Sequence, residues 1–333
     1  MKKLLSLVLA VLMLACLLTG CANDDPAPAE TSAPEEKAVT IRVGAMTGPT
    51  AMGMVKLMDD SDKGESQNTY DFTLQTEATA FAPALTKGEI DIAAVPANLA
   101  SVIYNNTDGG IKVLAVNATG VLYIVERGES VNALSDLAGK KLYATGEGAT
   151  PEFSLRYLLK ANGLDGDNAP EIQWCADTTE ALSYIANDEN AVAMLPQPFV
   201  TAAQSKVSDL RVAMSINDEW QKANDGAAMA TGVIVVRTEF AEKYPQQLKT
   251  FMEEYAASVE YVNDNTEAAA ELVGNYEIVK ASIALKALPY CNICCLTGAE
   301  LTECLGGYLS ALYDMNPQSV GGKLPDDGLY YEP

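Results

Sequence analysis

The lack of histidine limits the catalytic and metal-binding chemistry that this chain could carry out. The 333-residue sequence contains no histidine, which removes the commonest general base, the commonest zinc ligand and every catalytic triad built on His. Carboxylate, Lys and Tyr chemistry remains possible. The composition therefore disfavours an enzyme without excluding one, and it directs attention to uncharged hydroxyl and amide side chains at turns.

The other chemical candidates are cysteines near the carboxyl end, Cys291, Cys294, Cys295 and Cys304. Their spacing fits no zinc template, and adjacent Cys294 and Cys295 would point to opposite faces of a strand. A helix that begins at Thr297, with Glu300 three residues on, would carry Cys304 on its apolar stripe. We expect buried thiols, with one disulfide or a metal site as the alternatives.

The stretch 88–100 predicts an element that could position polar side chains. Its apolar run at 90–95 has the length of a buried strand, and Pro96 ends that strand. Asn98 then stands where a helix would take a side-chain cap. This order of strand, turn and helix start is where open α/β sheets bind ligands.

The chain nearly repeats this stretch further on. Residues 192–196 align with residues 92–96 without a gap, and Gln197 and Phe199 follow. The repeat suggests two similar α/β lobes, each with one turn of this kind.

Strands and helices alternate along the chain. Apolar or alternating runs predict strands at 38–44, 70–76, 90–95, 111–116, 170–174 and 192–195. Helical patterns occur at 51–58, 81–87, 178–186 and 245–262. Such alternation predicts an α/β fold with mostly parallel sheets.

Two further turns carry polar groups suited to a ligand. Thr47 and Thr50 lie at the start of the first predicted helix, where free N–H groups would suit a polar or anionic ligand, although Thr50 could equally be a simple cap. Gly146 precedes Thr150, which we interpret as a cap before a proline in the first helical turn. The stretch lacks the Gly-Lys-Ser/Thr of a nucleotide phosphate loop.

A second internal match concerns the connection between the two lobes. Residues 119–124 resemble residues 231–236, and a domain-sized segment lies between them. We interpret these two strands, which begin at Thr119 and Thr231, as paired hinge crossovers. The alternative is two ordinary strands that follow glycine turns.

The amino-terminal residues have the features of an export signal. A basic start and an uncharged apolar run to residue 18 form a secretory signal too short to span a bilayer. The ending Leu18-Thr19-Gly20-Cys21 resembles a bacterial lipobox. We predict a signal peptide at 1–20, lipid attachment at Cys21 and a disordered tether over 21–37, which is rich in Pro and Glu.

The charge balance narrows the class of partner. The net charge is −23 and no long basic run compensates it, so we expect no binding to nucleic acid, which requires clustered Lys and Arg. The acidic surface is interpreted as a solvated one.

Several motifs together resemble the solute-binding proteins of ABC transporters, in the branch that binds nitrate, sulfonate, taurine and thiamine-pyrimidine precursors. They are the lipobox, the runs 46–50 and 81–96 with Gly88-Glu89-Ile90-Asp91, the run 195–199 and the tail 321–327. The resemblance covers roughly 38–333. Gln197 departs from the pattern, since relatives often have Glu there.

This resemblance implies a two-lobed type II periplasmic-binding-protein-like α/β fold with two hinge crossover strands. Lobe 1 would be 38–118 with 232–333, and lobe 2 would be 119–231. A small molecule would bind between the lobes and pass to a membrane permease with its ATPase. We expect a lipid-anchored, extracytoplasmic monomer without cofactor or metal, and the membrane contact is expected through the anchor only.

The resemblance and the strand ends together give the candidate binding residues. They are Thr47, Thr50, Asn98, Thr119, Gly146, Thr150, Gln197, Phe199 and Thr231. None is charged, so we expect a compact anion such as a sulfonate, or a neutral heteroaromatic ring such as a pyrimidine stacked on Phe199 or Phe81. The alternatives are a same-fold enzyme of cofactor-precursor biosynthesis and an adhesion or scaffolding lipoprotein.

Overall fold

The computed structural model of the chain describes residues 39–332, and two β-sheets organise that part. The predicted signal peptide, lipid attachment and tether lie outside the described residues. The strands are β1 (Thr40–Met46), β2 (Thr69–Gln75), β3 (Ile92–Pro96), β4 (Ile111–Thr119), β5 (Leu122–Arg127), β6 (Lys141–Thr145), β7 (Glu171–Cys175), β8 (Val192–Pro196), β9 (Leu210–Ser215), β10 (Ala230–Arg237) and β11 (Ile293–Leu296).

Most strands of each sheet run in one direction. In the six-stranded sheet β10 and β11 run the opposite way, and in the five-stranded sheet β5 does. The six-stranded sheet has the order β11-β4-β10-β3-β1-β2, and the five-stranded sheet has the order β7-β6-β8-β5-β9. In the first, β1 is parallel to β2 and β3, while β10 is antiparallel to both of its neighbours. In the second, β6 is parallel to β7 and β8, while β5 is antiparallel to both of its neighbours. The α/β fold expected from the sequence is confirmed.

Helices connect and cover the strands. They are α1 (Pro49–Met52), α2 (Val55–Lys63), α3 (Phe81–Thr86), α4 (Ala97–Asn106), α5 (Thr150–Ala161), α6 (Thr178–Asn187), α7 (Phe199–Gln204), α8 (Ile216–Ala223), α9 (Thr238–Lys243), α10 (Pro245–Asp264), α11 (Thr266–Asn275), α12 (Ala281–Ala287) and α13 (Gly298–Met315). Among residues 39–332, no helix combines the length and apolar character needed to cross a membrane.

The first predicted helix differs from the observed one. Instead of a single helix over 51–58, the chain forms α1 and α2 with a break at Gly53. A Cβ atom built on Gly53 would lie 3.0 Å from a methyl group of Ile293 and 3.3 Å from the Tyr255 hydroxyl. The break at Gly53 therefore lies where the chain packs closely against distant segments. The sequence did not predict it, because helix propensity depends only on neighbouring residues.

The hydrophobic core is divided by the faces of the sheets, because neighbouring side chains of a strand point to opposite sides. On β3, Ala93 and Val95 join the core cluster that includes α5 and α13, whereas Ile92 and Ala94 join the cluster of α2 and α10. On β5, Ile124 belongs to the first of these clusters and Val125 to a third one. Each sheet therefore has one face that packs in the same cluster as α13 and one face that does not. Helices α7 and α12 pack on the faces away from α13.

Two chain connections join the sheets and lie side by side. The first leaves the end of β4 and enters β5, and the second returns into the start of β10. The Gly120 N–H donates to the carbonyl oxygen of Met229 at 3.0 Å, and the Thr231 hydroxyl donates to that of Ala118 at 2.9 Å. The six-stranded sheet takes its strands from 40–119, 230–237 and 293–296, and the five-stranded sheet takes its strands from 122–215.

The motif residue Asp91 ties three strands together at the edge where β1 begins. Its carboxylate, 2% exposed, accepts from the Arg42 Nε at 2.8 Å and from Arg237 Nη2 at 3.0 Å. Burial by itself would raise the pKa of Asp91, but the hydrogen bonds from Arg42 and Arg237 outweigh it, and the pKa is lowered. Asp91 is therefore ionised in the folded protein at neutral pH and links β1, β3 and β10.

Replacing this carboxylate should destabilise the fold. We expect Asp91→Asn to lower the free energy of unfolding by about 2 kcal/mol at pH 7, since two guanidinium groups lose their shared counter-charge. Because the folded-state pKa is depressed, the stabilisation is present above the unfolded pKa near ~4 and is lost as the pH falls through the folded value. Urea unfolding at pH 7 and pH 3 would measure both effects.

The matched control is Asp71→Asn, since Asp71 is an exposed carboxylate that also acts on Arg42 through its charge. Its effect should be under about 0.5 kcal/mol. Equal losses for the two variants would contradict the role given to Asp91.

Candidate functional site

Most candidate binding residues lie at or just beyond the ends of strands, whereas Thr231 lies near the start of β10. Helices α1 and α4 follow β1 and β3 of the six-stranded sheet, and helices α5 and α7 follow β6 and β8 of the five-stranded sheet. In open α/β sheets this edge is the usual place for ligands, because helix starts and loops converge there. The structure brings some of the predicted residues into contact with each other, whereas the others contact only their local neighbours.

Thr47 and Thr50 are held by local bonds at the start of α1. The Thr47 hydroxyl donates to the carbonyl oxygen of Gln75 at 3.3 Å, and the Thr50 hydroxyl donates to that of Met46 at 2.6 Å. Thr50 is not a helix cap: the N-cap position is Gly48, and it makes no side-chain capping bond. Thr50 also accepts through its carbonyl oxygen from the Asn117 amide at 3.2 Å.

Asn98 and Thr150 contact each other across the two sheets. The Thr150 hydroxyl donates to Asn98 Oδ1 at 2.9 Å, and the Asn98 amide nitrogen donates to the carbonyl oxygen of Ser319 at 3.3 Å. Both side chains are buried. The expectation that each caps a helix is wrong, because the N-cap positions are Pro96 and Ala149, and neither makes a side-chain capping bond.

Thr119, Thr231 and Gly146 shape the backbone of this region. Thr119 is paired with Ala230 in the antiparallel register of β4 and β10, directly before the connection to the other sheet. Thr231 follows Ala230 on the returning strand. Gly146 has a φ of 87°, and a Cβ atom there would lie 2.5 Å from the ring of Pro151, so the turn into α5 favours glycine.

A cavity of about 630 Å³ lies on the face opposite α13, between α7 of the five-stranded sheet and α12 of the six-stranded sheet. Gln197 is the predicted residue that lines it. The Gln197 Oε1 atom accepts from the Thr201 hydroxyl at 3.0 Å, and both side chains are buried. Phe199 is 40% exposed at the start of α7, whereas Phe81 is fully buried against Gly44. A ligand ring therefore has no access to Phe81.

Most of the cavity lining was not predicted from the sequence. The lining residues outside the candidate set are Tyr123, Thr201, Gln204, Ser205, Val212, Leu285, Lys286, Pro289 and Tyr290. The Tyr123 hydroxyl donates to the carbonyl oxygen of Tyr290 at 2.9 Å and so links β5 to the segment after α12. Burial raises the pKa of Tyr123 to about 12, which keeps this donor protonated at neutral pH.

The cavity lining contains one cation, Lys286, and no carboxylate. Two acid-free stretches of the sequence frame it: residues 190–208 and 278–299 contain no Asp or Glu, although the chain has 45 acidic residues. That distribution is a signal that could have located α7 and α12 as walls of the site. It was missed because hydrophobic periodicity does not distinguish a cavity wall from a core helix.

The described cysteines form no disulfide and no metal-binding group within residues 39–332. Cys304 is buried on the apolar stripe of α13, as expected. Cys294 packs in the α13 cluster and Cys295 in the opposite one, which confirms that they point to opposite faces. Burial raises the pKa of Cys291 to about 12 and that of Cys304 to about 11.

These thiols should be unreactive while the protein is folded. Since thiolate is the reacting species and the pKa values lie well above 8, we expect the five described cysteines to resist alkylation by iodoacetamide at pH 8 and to react fully in urea. Peptide mapping by mass spectrometry would give the extent of labelling at each position. Rapid native labelling of Cys291 would contradict the observed burial.

The comparisons with known proteins agree with this architecture. Residues 65–284 match the family described as ABC transporter, phosphonate, periplasmic substrate-binding protein. That match spans more than half of the chain. The chain therefore belongs to this family of periplasmic substrate-binding proteins, and the resemblance drawn from the sequence is confirmed. Among curated proteins, none matches the sequence.

Solved structures with the same fold extend over most of the chain. An ABC transporter protein from Parabacteroides distasonis has 24% identity and a TM-score of 0.74, with 88% of this chain and 99% of that chain covered. The periplasmic aliphatic sulphonate binding protein SsuA from Escherichia coli has 15% identity and a TM-score of 0.70, with 88% and 92% covered. The alkanesulfonate-binding protein SsuA from Xanthomonas axonopodis pv. citri, bound to MOPS, has 12% identity and a TM-score of 0.61, with 87% and 96% covered.

Proposed function

We propose that this substrate-binding protein holds its ligand in the cavity between α7 and α12 and delivers it to an ABC importer. The observation that carries the proposal is a 630 Å³ space formed by both sheets' helices and lined without any carboxylate. Its volume lies in the range of pockets that enclose small organic molecules. Tyr123 and Gln197 come from one sheet and its loops, and Lys286 and Tyr290 come from the segment packed on the other.

The lining favours an organic ligand that is neutral or carries one negative charge. A cation would find no counter-charge, and leaving a charge unpaired in a partly buried site is costly. A compact inorganic anion would fill only a small part of the space. The apolar surfaces of Tyr123, Val212 and Leu285 suit an aliphatic or aromatic body, while Lys286 suits one anionic group. Of the two expected classes, a sulfonate with an organic body and a heteroaromatic ring both fit, whereas a bare anion fits poorly. An organic phosphonate, which the sequence did not suggest, would fit in the same way as a sulfonate.

The candidate residues fall into different roles under this proposal. Gln197 would contact the ligand through its buried amide, whereas Phe199 is exposed and does not line the cavity. Thr47, Thr50 and Gly146 would shape the backbone at the strand ends. Thr119 and Thr231 would act at the hinge between a lobe of 38–118 with 232–333 and a lobe of 119–231. A ligand that touches both lobes favours the closed arrangement.

Transport by itself requires no chemistry at the ligand, and we infer that the protein is not an enzyme. Members of its family are transport binding proteins, and the chain lacks histidine. The cavity lining contains no acid that could serve as a general base beside Lys286. Turnover of a bound ligand would favour the alternative of a same-fold enzyme, and absence of any ligand would favour a scaffolding lipoprotein.

Ligand class is tested by thermal unfolding with a panel of nitrate, alkanesulfonates, alkylphosphonates and pyrimidines. A ligand at 100 times its dissociation constant adds about 2.7 kcal/mol to the free energy of unfolding, which raises the Tm by a few degrees. We expect organic anions or rings to produce this shift and nitrate to produce none. If no compound moves the Tm, the proposed binding function loses its support.

The role of Lys286 is tested with Lys286→Met. We expect the affinity for a singly anionic ligand to fall about three- to tenfold, as measured by calorimetry, because one charge-assisted contact is lost. Affinity for a neutral ring should be unchanged. The control is Lys280→Met, which removes an exposed lysine of the same acid-free stretch outside the cavity lining. Equal losses for the two variants would point to a long-range charge effect instead.

The extracytoplasmic location is proposed to depend on lipid attachment at Cys21. We expect Cys21→Ser to leave the protein in the soluble fraction of a bacterial expression host, whereas the wild type sediments with membranes. Cys16→Ser, five residues upstream in the apolar run, is the control and should sediment normally. Membrane association of Cys21→Ser after detergent-free washing would contradict the anchor.

A further inference from the structure

Three of the side chains that line the cavity between α7 and α12 are buried, and we call them the floor. They are Tyr123, Gln197 and Thr201. Other lining side chains, such as Lys286 and Tyr290, are exposed and remain in contact with water. A ligand group that reaches the floor loses its own water, so the polar atoms of the floor decide which group can bind there.

The two hydroxyl groups of the floor already donate within the protein. The Tyr123 hydroxyl donates to the carbonyl oxygen of Tyr290 at 2.9 Å, and the Thr201 hydroxyl donates to Gln197 Oε1 at 3.0 Å. A hydroxyl group has only one hydrogen to donate. Neither hydroxyl therefore has a donor left for a ligand.

The side-chain amide of Gln197 is held in one orientation. Its Oε1 atom accepts from the backbone N–H of Thr201 at 3.4 Å as well as from the Thr201 hydroxyl. Because a backbone N–H can only donate, the atom that faces it must be the carbonyl oxygen of the amide. The backbone N–H of Gln197 donates to the carbonyl oxygen of Val121 at 2.9 Å, which fixes the residue beside the connection into β5.

The other atom of this amide, Nε2, is the donor that remains. It makes no hydrogen bond to any residue in 39–332, and it is not among the side-chain atoms of that range that are sealed from solvent without a partner. The atom therefore reaches open space, and the space that Gln197 lines is the cavity. A side chain that is only 3% exposed thus directs an unpaired N–H group into the cavity.

We propose that Gln197 is a specificity-determining residue that selects ligands with an acceptor oxygen, and that Thr201 is the positioning residue for its amide. This inference rests on the proposed binding function. A sulfonyl, phosphoryl or carbonyl oxygen at the floor accepts from Nε2, whereas an ammonium group meets a second donor there and both stay unpaired. An organic anion and a heteroaromatic ring with a carbonyl group share this acceptor.

Gln197→Glu tests the selection, because a carboxylate keeps the acceptor for Thr201 and replaces Nε2 with an oxygen. The probes are hexanesulfonate and hexylammonium, which share an alkyl chain, and calorimetry gives their affinities. We expect the affinity for hexanesulfonate to fall about tenfold or more, the effect of losing a hydrogen bond to a charged group. Hexylammonium should bind the variant more tightly than it binds the wild type. A neutral pyrimidinone should lose about two- to tenfold, the effect of one neutral hydrogen bond.

The matched control for the added charge is Asn190→Asp. Asn190 is exposed, lies in the same acid-free stretch as Gln197 and does not line the cavity. Its conversion to a carboxylate should change the affinity for hexanesulfonate less than about threefold, because an exposed charge is screened by solvent. An equal loss in both variants would mean that charge acts at long range, and it would overturn the selection by Gln197.

The positioning role is tested with Thr201→Val and Thr201→Ser. Loss of the hydroxyl in Thr201→Val frees the amide to rotate and should weaken hexanesulfonate binding about two- to fivefold. Thr201→Ser keeps the hydroxyl and should match the wild type. In a Gln197→Met background, Thr201→Val should have no further effect, since Thr201 acts through Gln197. A full effect in that background would mean that Thr201 contacts the ligand itself, and the positioning role would be wrong.

The outcomes separate this inference from the proposed function. If the wild type and Gln197→Glu bind hexanesulfonate equally, the selection is wrong while the binding function stands. If no compound of the thermal panel binds the wild type, the binding function fails and this inference fails with it. The Tm of each ligand-free variant shows whether it is folded, and if Gln197→Glu does not fold, the comparison of Thr201→Val with Thr201→Ser decides.

Discussion

The pairing of two chain crossings is the constraint on which the rest of the structure depends. The chain leaves the six-stranded sheet after Thr119 and returns before Thr231, and hydrogen bonds join the two passages at 3.0 Å and 2.9 Å. Because β10 is antiparallel to its neighbours, the returning chain enters the sheet at the edge where β1 and β3 end. Helices α1 and α4, which follow β1 and β3, therefore begin at the edge where the chain passes between the two sheets.

The acidic side chains are distributed unevenly over the molecule. Each sheet contains a deeply buried carboxylate neutralised by arginine: Asp91 with Arg42 and Arg237, and Glu126 with Arg211. Burial by itself would raise the pKa of Glu126, but bonds from Ser130, Val131 and Arg211 lower it. The remaining acidic charge of the chain is spread elsewhere, whereas the cavity walls carry none. An anionic or neutral guest therefore meets no carboxylate in the cavity lining of a protein with a net charge of −23.

The two faces of the sheets differ in how tightly they are packed. The face of α13 is filled by side chains that connect the layers directly, among them Tyr308 and Trp220, and the hydroxyls of Ser154 and Tyr308 are paired with each other. The opposite face retains the open space between α7 and α12, with exposed apolar side chains such as Val212, Leu285 and Tyr290 around it. The face of α13 is therefore the packed side of the sheets, and the opposite face carries the cavity.

The sequence by itself determined the elements, the family and the turns. The strand that ends at Pro96, its repeat at Pro196, the helix over α10 and the apolar stripe of α13 were all readable, because periodicity and turn chemistry depend on neighbouring residues. Only the tertiary structure decided what those turns do. Asn98 and Thr150 are 52 residues apart and meet each other instead of capping helices. Phe81 is buried, and Tyr123 and Lys286 line the cavity, since contacts between distant segments follow from how the layers pack and hydrophobic periodicity does not report them.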